Sequence, residues 1–290
     1  MNRNASFIVL SFFGGVIRLW VRRSRNLKTQ EKTLHLNASG SPSLRIAETF
    51  TSLQGEGLLT GVPSFFIRTS GCNLRCWFCD TPYASWNPEG NRWPLVDLIE
   101  AAAGSRWTDS DEHSQSAAAV EHVVLTGGEP LIMSGVADLA IALRAAGMHV
   151  TIETAGTVDI DISCDLLSLS PKLRGSTPGR GAGPALSENS RWGELHEQRR
   201  LPIATMRGLI ERAPAVQVKF VVDSPAEYDE ILEVVADLDV AASDVWIMPQ
   251  GVTVEQLDAA AVWLRPWAEA AGFAYCDRMQ IRWYGNRRGT

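Results

Sequence analysis

From residue 44 onward the chain alternates between two patterns of apolar positions. Short runs of apolar, largely β-branched residues at 45–50, 64–69, 122–125, 149–153, 166–169, 216–222 and 245–248 predict strands. Between them, stretches with apolar residues three or four apart predict helices at 94–103, 136–146, 202–212, 226–238 and 254–271. Strand-then-helix alternation argues for βα units on a mainly parallel sheet. Near-continuous apolar runs such as HVVL and VQVKFVV fit strands covered on both faces. The expected fold class is α/β, a partial (β/α) TIM-like barrel of mostly parallel strands. Its functional groups should gather at the carboxyl ends of those strands.

Two segments stand outside this pattern, leaving residues 44–290 as the expected domain. Residues 7–21 read FIVLSFFGGVIRLWV, preceded by Arg3 and followed by Arg22 and Arg23. The run is too short for a membrane span and Arg18 interrupts it. It has the length of a signal-peptide core but no small-residue cleavage site. Residues 1–43 are therefore read as a disordered or dispensable extension, of the kind that translation from an upstream start codon would add. Residues 174–200 are rich in Gly, Ser, Pro and Arg without periodicity, which predicts a flexible insertion.

Composition narrows the classes. The chain has 290 residues, 45% hydrophobic and 21% charged, the balance of a soluble globular protein. A net charge of −6 gives no global electrostatic reason to bind nucleic acid, and the basic clusters at 22–25 and 287–288 lie near the ends.

Candidate chemistry begins with the cysteines. Three of the five fall within eight residues, as Cys72, Cys76 and Cys79 in GCNLRCWFCDT. A structural zinc site wants four ligands in two pairs, and no second CxxC or nearby His pair completes one. Disulfides fit poorly with an odd count and clustered positions. Cys164 and Cys276 read as buried apolar residues. Three thiolates on one short loop can instead hold three irons of a [4Fe–4S] cluster and leave the fourth open. This C-x₃-C-x₂-C loop resembles that of the radical S-adenosylmethionine (SAM) enzymes, in which the open iron chelates SAM.

Further landmarks make the resemblance specific. SLQGEG at 52–57, the Gly61-Val62-Pro63 turn, a strand ending in Ile67-Arg68, the cysteine loop with its trailing Asp80-Thr81, Thr126-Gly127-Gly128-Glu129-Pro130, and Ser170-Pro171-Lys172 follow in order. Together they resemble the 7-carboxy-7-deazaguanine synthases of the radical SAM superfamily, and the likeness spans nearly everything from Ala47 to Gly289. The resemblance implies conversion of 6-carboxy-5,6,7,8-tetrahydropterin to 7-carboxy-7-deazaguanine with release of ammonia, a step of queuosine and deazapurine biosynthesis. It implies a [4Fe–4S] cluster, SAM and Mg2+ as cofactors, a flavodoxin- or ferredoxin-like electron donor and a homodimer. It also implies a cytoplasmic location, with neither membrane nor nucleic acid as partner.

Residue by residue, the resemblance assigns Cys72, Cys76 and Cys79 to the cluster and Thr81 to magnesium. Phe78, Cys79, Asp80, Gly128, Ser170, Pro171 and Lys172 match SAM-binding positions. So does Met248-Pro249-Gln250-Gly251, although the family commonly has Gln-Pro where Met248-Pro249 stands. Leu53, Gln54, Gly55, Arg68 and Thr126 match substrate-binding positions; Arg68 could take a carboxylate in a bidentate fork. Glu153, in TIET at a strand end, is read either as a ligand contact or as half of a structural ion pair. The closing QIRWYGNRRGT resembles the family's last strand and turn, but Thr290 stands where some members have proline. Two other readings stay open from the residues: an activase that makes a glycyl radical on a partner protein, and a non-catalytic iron–sulfur protein.

Overall fold

The apolar runs form one sheet, together with an antiparallel flank. The structure, a computed structural model, describes residues 42–108, 117–179 and 190–290, and the backbone of three strands nearer the start. The sheet contains β1 (Ser43–Leu53), β2 (Pro63–Thr69), β3 (Asn91–Pro94), β4 (His122–Gly127), β5 (His149–Thr154), β6 (Leu166–Leu169), β7 (Val216–Val222), β8 (Val245–Pro249) and β9 (Ala274–Tyr275). Their order is β9-β8-β7-β6-β5-β4-β2-β1-β3. From β2 to β9 every neighbouring pair is parallel, whereas β1 runs antiparallel to β2 and β3. The sheet is open: among the described residues β3 and β9 are its edges and no pairing joins them.

Eight helices are described: α1 (Pro82–Ser85), α2 (Leu95–Gly104), α3 (Val136–Ala145), α4 (Arg191–Arg199), α5 (Ile203–Arg212), α6 (Tyr228–Leu238), α7 (Val254–Ala270) and α8 (Met279–Tyr284). All five expected helices are present, within a residue or two at their ends. The core lies between the helices and one face of the sheet. There Ile67, Val123, Leu125, Val150, Ile152, Leu167, Val218 and Phe220 meet Leu139, Leu143, Leu209, Ile231 and Leu264. Strand periodicity puts the alternate residues on the other face. Those are Arg68, Thr126, Thr151, Glu153, Ser168, Gln217 and Lys219, most of them buried yet polar or charged. The inner face thus mixes these groups with apolar residues such as Phe66, Val124 and Val221, and its polar members furnish it for binding.

Three segments differ from the sequence expectation. Residues 174–200, expected to be a flexible insertion, include a 3₁₀ turn at Arg174–Ser176 and the helix α4; residues 180–189 lie outside the described residues. The helix starts because the Ser190 hydroxyl accepts the Gly193 N–H at 3.2 Å. QIRW near the end, expected as a closing strand, lies in α8 instead. Its Ile281 is buried and Arg282 ties back to Asp277 at 2.7 Å. Within residues 1–43, strands Ile8–Phe13, Val16–Val21 and Lys32–Leu34 form their own antiparallel sheet. At the start of the described domain the Pro42 carbonyl accepts the Leu95 N–H that opens α2. Among the described residues no helix is long and apolar enough to cross a membrane.

Candidate active site

The polar inner face opens onto a cavity of about 590 Å³ at the carboxyl ends of the parallel strands, where α/β folds place ligands. Its wall collects Arg68 from β2, Thr126 and Gly127 from β4, Glu153 and Thr154 from β5, Ser168 from β6, Lys219 from β7 and Met248 from β8. Cys72, Cys76 and Cys79, all free thiols, line it from the loop after β2.

That loop and the turn after β4 hold each other. The Gly71 carbonyl accepts the Glu129 N–H at 2.9 Å, and the Thr69 carbonyl accepts the Gly128 N–H at 3.2 Å. A side chain on Gly128 would collide with the Gly71 carbonyl, and one on Gly127 (φ 151°) with Thr69. Two glycines are therefore needed for the two loops to approach. Glu129 of the same turn does not line the cavity. It is fully buried and accepts from Thr154 Oγ1 at 2.7 Å, Leu131 N at 3.0 Å and Ala155 N at 2.8 Å. Burial raises its pKa against those three hydrogen bonds. Glu129 thus ties the β4 turn to β5.

Without metal, burial holds the three thiols protonated and so poorly suited to nucleophilic attack. Burial pushes Cys72 and Cys76 up to about 12 and raises Cys79 as well, with Asp80 adding to the last. They would lose their protons on taking up metal. Among the described residues no three His, Cys, Asp or Glu side chains converge on a point that would hold a single ion. A cubane cluster takes one thiolate per iron and so wants its ligands spread. An all-sulfur donor set on one loop facing a cavity fits such a cluster.

The opposite wall is a buried network of charges. Glu56 pairs with Lys219, with Arg278 (3.3 Å) and with the Gln280 amide (2.5 Å). Burial alone would raise the Glu56 pKa, but Lys219 and Arg278 hold it down at about 2. Burial would likewise lower Lys219 and Arg278, and their acidic partners, Glu56 for both and Asp80 for Arg278, raise them instead. Arg278 also pairs with Asp80 beside the last cluster cysteine and donates to the Gly251 carbonyl at 2.8 Å. Gln54 donates to Glu153 at 3.1 Å and accepts the Glu56 N–H at 3.1 Å. Gly55 lies against Gln280, and its carbonyl accepts the Met279 N–H at 2.9 Å.

A second charged group frames the mouth. Glu48 Oε1 takes both Arg68 Nε and the Tyr83 hydroxyl at 2.7 Å, and its Oε2 takes Arg288 at 3.0 Å. Burial would lower the Arg68 pKa, but Tyr83 and Glu48 raise it. The terminal nitrogens of Arg68 make no hydrogen bond among the described residues, so its fork is presented to the cavity. Thr81 opens α1, yet its hydroxyl caps no backbone N–H; it stands 3.8 Å from Cys79 Sγ. Lys172 Nζ donates to Ser170 Oγ at 2.7 Å.

Of the residues singled out from sequence, Leu53, Gln54, Gly55, Arg68, Phe78, Asp80, Thr81, Thr126, Gly128, Glu153, Ser170, Lys172 and Met248 line this one cavity beside the cysteines. Pro171, Pro249, Gln250 and Gly251 do not; Gly251 contributes only its carbonyl to Arg278. Sequence reading missed Glu48, Glu56, Tyr83, Lys219, Arg278, Gln280 and Arg288. Lys219 left a signal, since Gln217 and Lys219 recur at strand spacing within an otherwise apolar run. Thr290 also lines the cavity.

The chain matches the Radical SAM superfamily over residues 66–170. It is 60% identical over 248 residues to the 7-carboxy-7-deazaguanine synthase of Rhodopirellula baltica, covering 86% of this chain and 89% of that protein. To the synthase of the same name from Halobacterium salinarum it is 40% identical over 251 residues, covering 84% and 92%. The crystal structure of QueE from Escherichia coli shares the fold, with a TM-score of 0.55 at 23% identity, over 82% of this chain and 94% of that one. With identity this high over most of both proteins, and with the cysteine loop, glycine turn and polar inner face converging on one cavity, the chain belongs to the 7-carboxy-7-deazaguanine synthase family of radical SAM enzymes.

Proposed function

We propose that this cavity converts 6-carboxy-5,6,7,8-tetrahydropterin to 7-carboxy-7-deazaguanine with release of ammonia. The observation that carries the reading is the opposition, across about 590 Å³, of three free thiols and a wall of oriented polar side chains. Family membership makes the chain a radical SAM enzyme with a [4Fe–4S] cluster and SAM as cofactors. When bound, the two supply the one-electron chemistry that takes hydrogen from a substrate carbon.

The protein's part is to bind, orient and shield. Cys72, Cys76 and Cys79 would hold the cluster. Phe78, Gly128, Ser170, Lys172 and Met248 would receive SAM, with Lys172 offering a cation to its carboxylate. Arg68, held by Glu48 at Nε, offers its remaining nitrogens to the substrate carboxylate. Gln54 and Glu153, already bonded to each other, would read the donor and acceptor edge of the pterin beside Leu53, Gly55 and Thr126. Thr81, with a hydroxyl unused as a cap, is the proposed oxygen ligand for Mg2+, whose other positions substrate and water would fill. Asp80 is committed to Arg278, so its part in SAM binding falls to its backbone. An electron donor of the flavodoxin or ferredoxin kind, a homodimer and a cytoplasmic location complete the proposal; the location follows from the need to keep three thiols reduced.

The test is anaerobic. Reconstituted protein is given SAM, reductant, Mg2+ and 6-carboxytetrahydropterin, and 7-carboxy-7-deazaguanine is sought by mass spectrometry. Product from wild type and none from Cys76→Ala is the expected result. SAM cleavage without that product would overturn the substrate assignment.

A further inference from the structure

The segment that composition marks as an insertion is attached to the loop that carries the cysteines. On α4, Trp192, His196 and Arg199 stand at i, i+4 and i+7, one stripe of the helix. All three reach the stretch between Cys72 and Cys76. His196 Nδ1 accepts the Arg75 backbone N–H at 3.1 Å. The Trp192 ring lies 4.0 Å from the Arg75 guanidinium, within cation–π range. Arg199 donates to the Asn73 carbonyl at 3.3 Å.

Arg75 folds back onto its own loop, donating to the Cys72 carbonyl at 2.8 Å and the Leu74 carbonyl at 2.7 Å. Fixing Arg75 therefore fixes two carbonyls of the stretch that leads up to it from the first cysteine. Because Nδ1 accepts, the His196 proton sits on Nε2 and is donated to Ser176 Oγ at 2.9 Å; Ser176 in turn donates to the Leu173 carbonyl at 2.7 Å. His196 and Ser176 are both almost wholly buried, and burial pushes the imidazole down to about 4, which keeps it neutral. The helix is itself anchored: Arg200 donates to the Lys172 carbonyl at 3.0 Å and to Glu230 at 2.8 Å. The 3₁₀ turn completes the grip, with the Ser176 carbonyl accepting Trp77 N at 3.1 Å and the Gly175 carbonyl accepting Trp77 Nε1 at 2.7 Å.

We propose that the Trp192–His196–Arg199 stripe clamps the cysteine loop into its metal-binding shape, with His196 as the positioning residue. The inference rests on the cluster reading of the three cysteines. Its consequence is that cluster retention depends on a helix that contributes no ligand.

The experiment compares wild type with His196→Ala, His196→Asn and His196→Gln, each reconstituted anaerobically with iron and sulfide. Iron per chain, the half-time of cluster loss to EDTA and the EPR spectrum of the reduced cluster are read. His196→Ala should lose its cluster about fivefold faster, the factor that one net hydrogen bond is worth, with an altered spectrum. Asn can place its Oδ1 where Nδ1 was and should restore both readouts; Gln reproduces only the Nε2 side and should not. Wild-type retention by His196→Ala, or an Asn variant no better than Ala, overturns the clamp. Should His196→Ala fail to fold, Trp192→Ala at the helix surface must show the same acceleration, and wild-type retention there overturns it equally. A wild type that takes up no iron overturns the cluster reading and the clamp with it, whereas a loaded wild type with an unchanged His196→Ala overturns the clamp alone.

Discussion

Glu56 occupies the least forgiving position in the cavity wall. Its carboxylate is shared by Lys219, Arg278 and Gln280, all drawn out of water with it. Removing one member of a buried ion pair leaves its partners uncompensated, which costs about 3–5 kcal/mol. Glu56→Ala should therefore lower the stability of the apoprotein by roughly that amount, read from the urea midpoint. The sign of its pH dependence follows from a folded pKa of about 2 against an ordinary 4.5. The stabilisation is complete above pH 4.5 and fades as the pH falls toward 2. A Glu56→Ala protein as stable as wild type at pH 7 would show that the pairing is worth no more than its desolvation. Glu56 stands in the SLQGEG string that drew attention to its neighbours Leu53, Gln54 and Gly55. In the sequence alone an isolated glutamate reads as solvated, because its strand-borne and C-terminal partners lie far along the chain.

At the scale of elements, one histidine joins three strands at the far end of the sheet from the cavity. His122 on β4 bonds Ser64 on β2 at 2.5 Å and Thr151 on β5 at 2.8 Å. Burial, and then His149 across 4.9 Å, push its pKa down to about 4, against a small opposing pull from Asp165. The unfolded chain takes up this proton first, so the stability His122 permits is present above about pH 6.5 and lost as pH falls toward 4. The shift corresponds to about 3 kcal/mol at most. The difference in unfolding free energy between wild type and His122→Gln should shrink across that window by a sizeable part of that figure. A difference that stays flat from pH 7 to pH 4.5 would remove His122 as its source. Elements of this kind were legible in sequence: β2, β4, β5, β7 and β8 announce themselves by apolar β-branched runs, and α3, α5, α6 and α7 by an apolar stripe. The helix α4 was not, because it buries Gly193 and His196 and otherwise grips its neighbours through Trp192, Arg199 and Arg200. A helix held by polar contacts has no hydrophobic period to read. The short helix α8 was hidden for a related reason: one buried apolar residue, Ile281, makes no pattern.

On the scale of the whole molecule, the two ends of the chain bear differently on the site. Among the described residues the sheet and its helices are joined from Pro42 onward, whose carbonyl accepts the first N–H of α2, and the strands nearer the beginning pair among themselves. Removing residues 1–41 should leave cluster content and turnover unchanged; loss of folding would make that sheet part of the domain. The other end closes the cavity, since Gly285 to Thr290 form part of its wall. Arg288 fastens this tail through Glu48 at 3.0 Å, Glu89 at 2.9 Å and the Ala47 carbonyl at 3.1 Å, and lies 4.0 Å above the Tyr83 ring. Arg288 is substantially exposed, so its ion pairs contribute little to folding, about 1 kcal/mol or less. Its leverage is on binding instead, because Glu48 holds Arg68 with one oxygen and the tail with the other. Arg288→Ala should leave the melting temperature nearly unmoved while raising KM for the pterin several-fold. Proteolysis at 285–290 should quicken in the same variant. A fall in thermal stability with KM unchanged would mean that Arg288 serves the fold, and that the cavity closes without it.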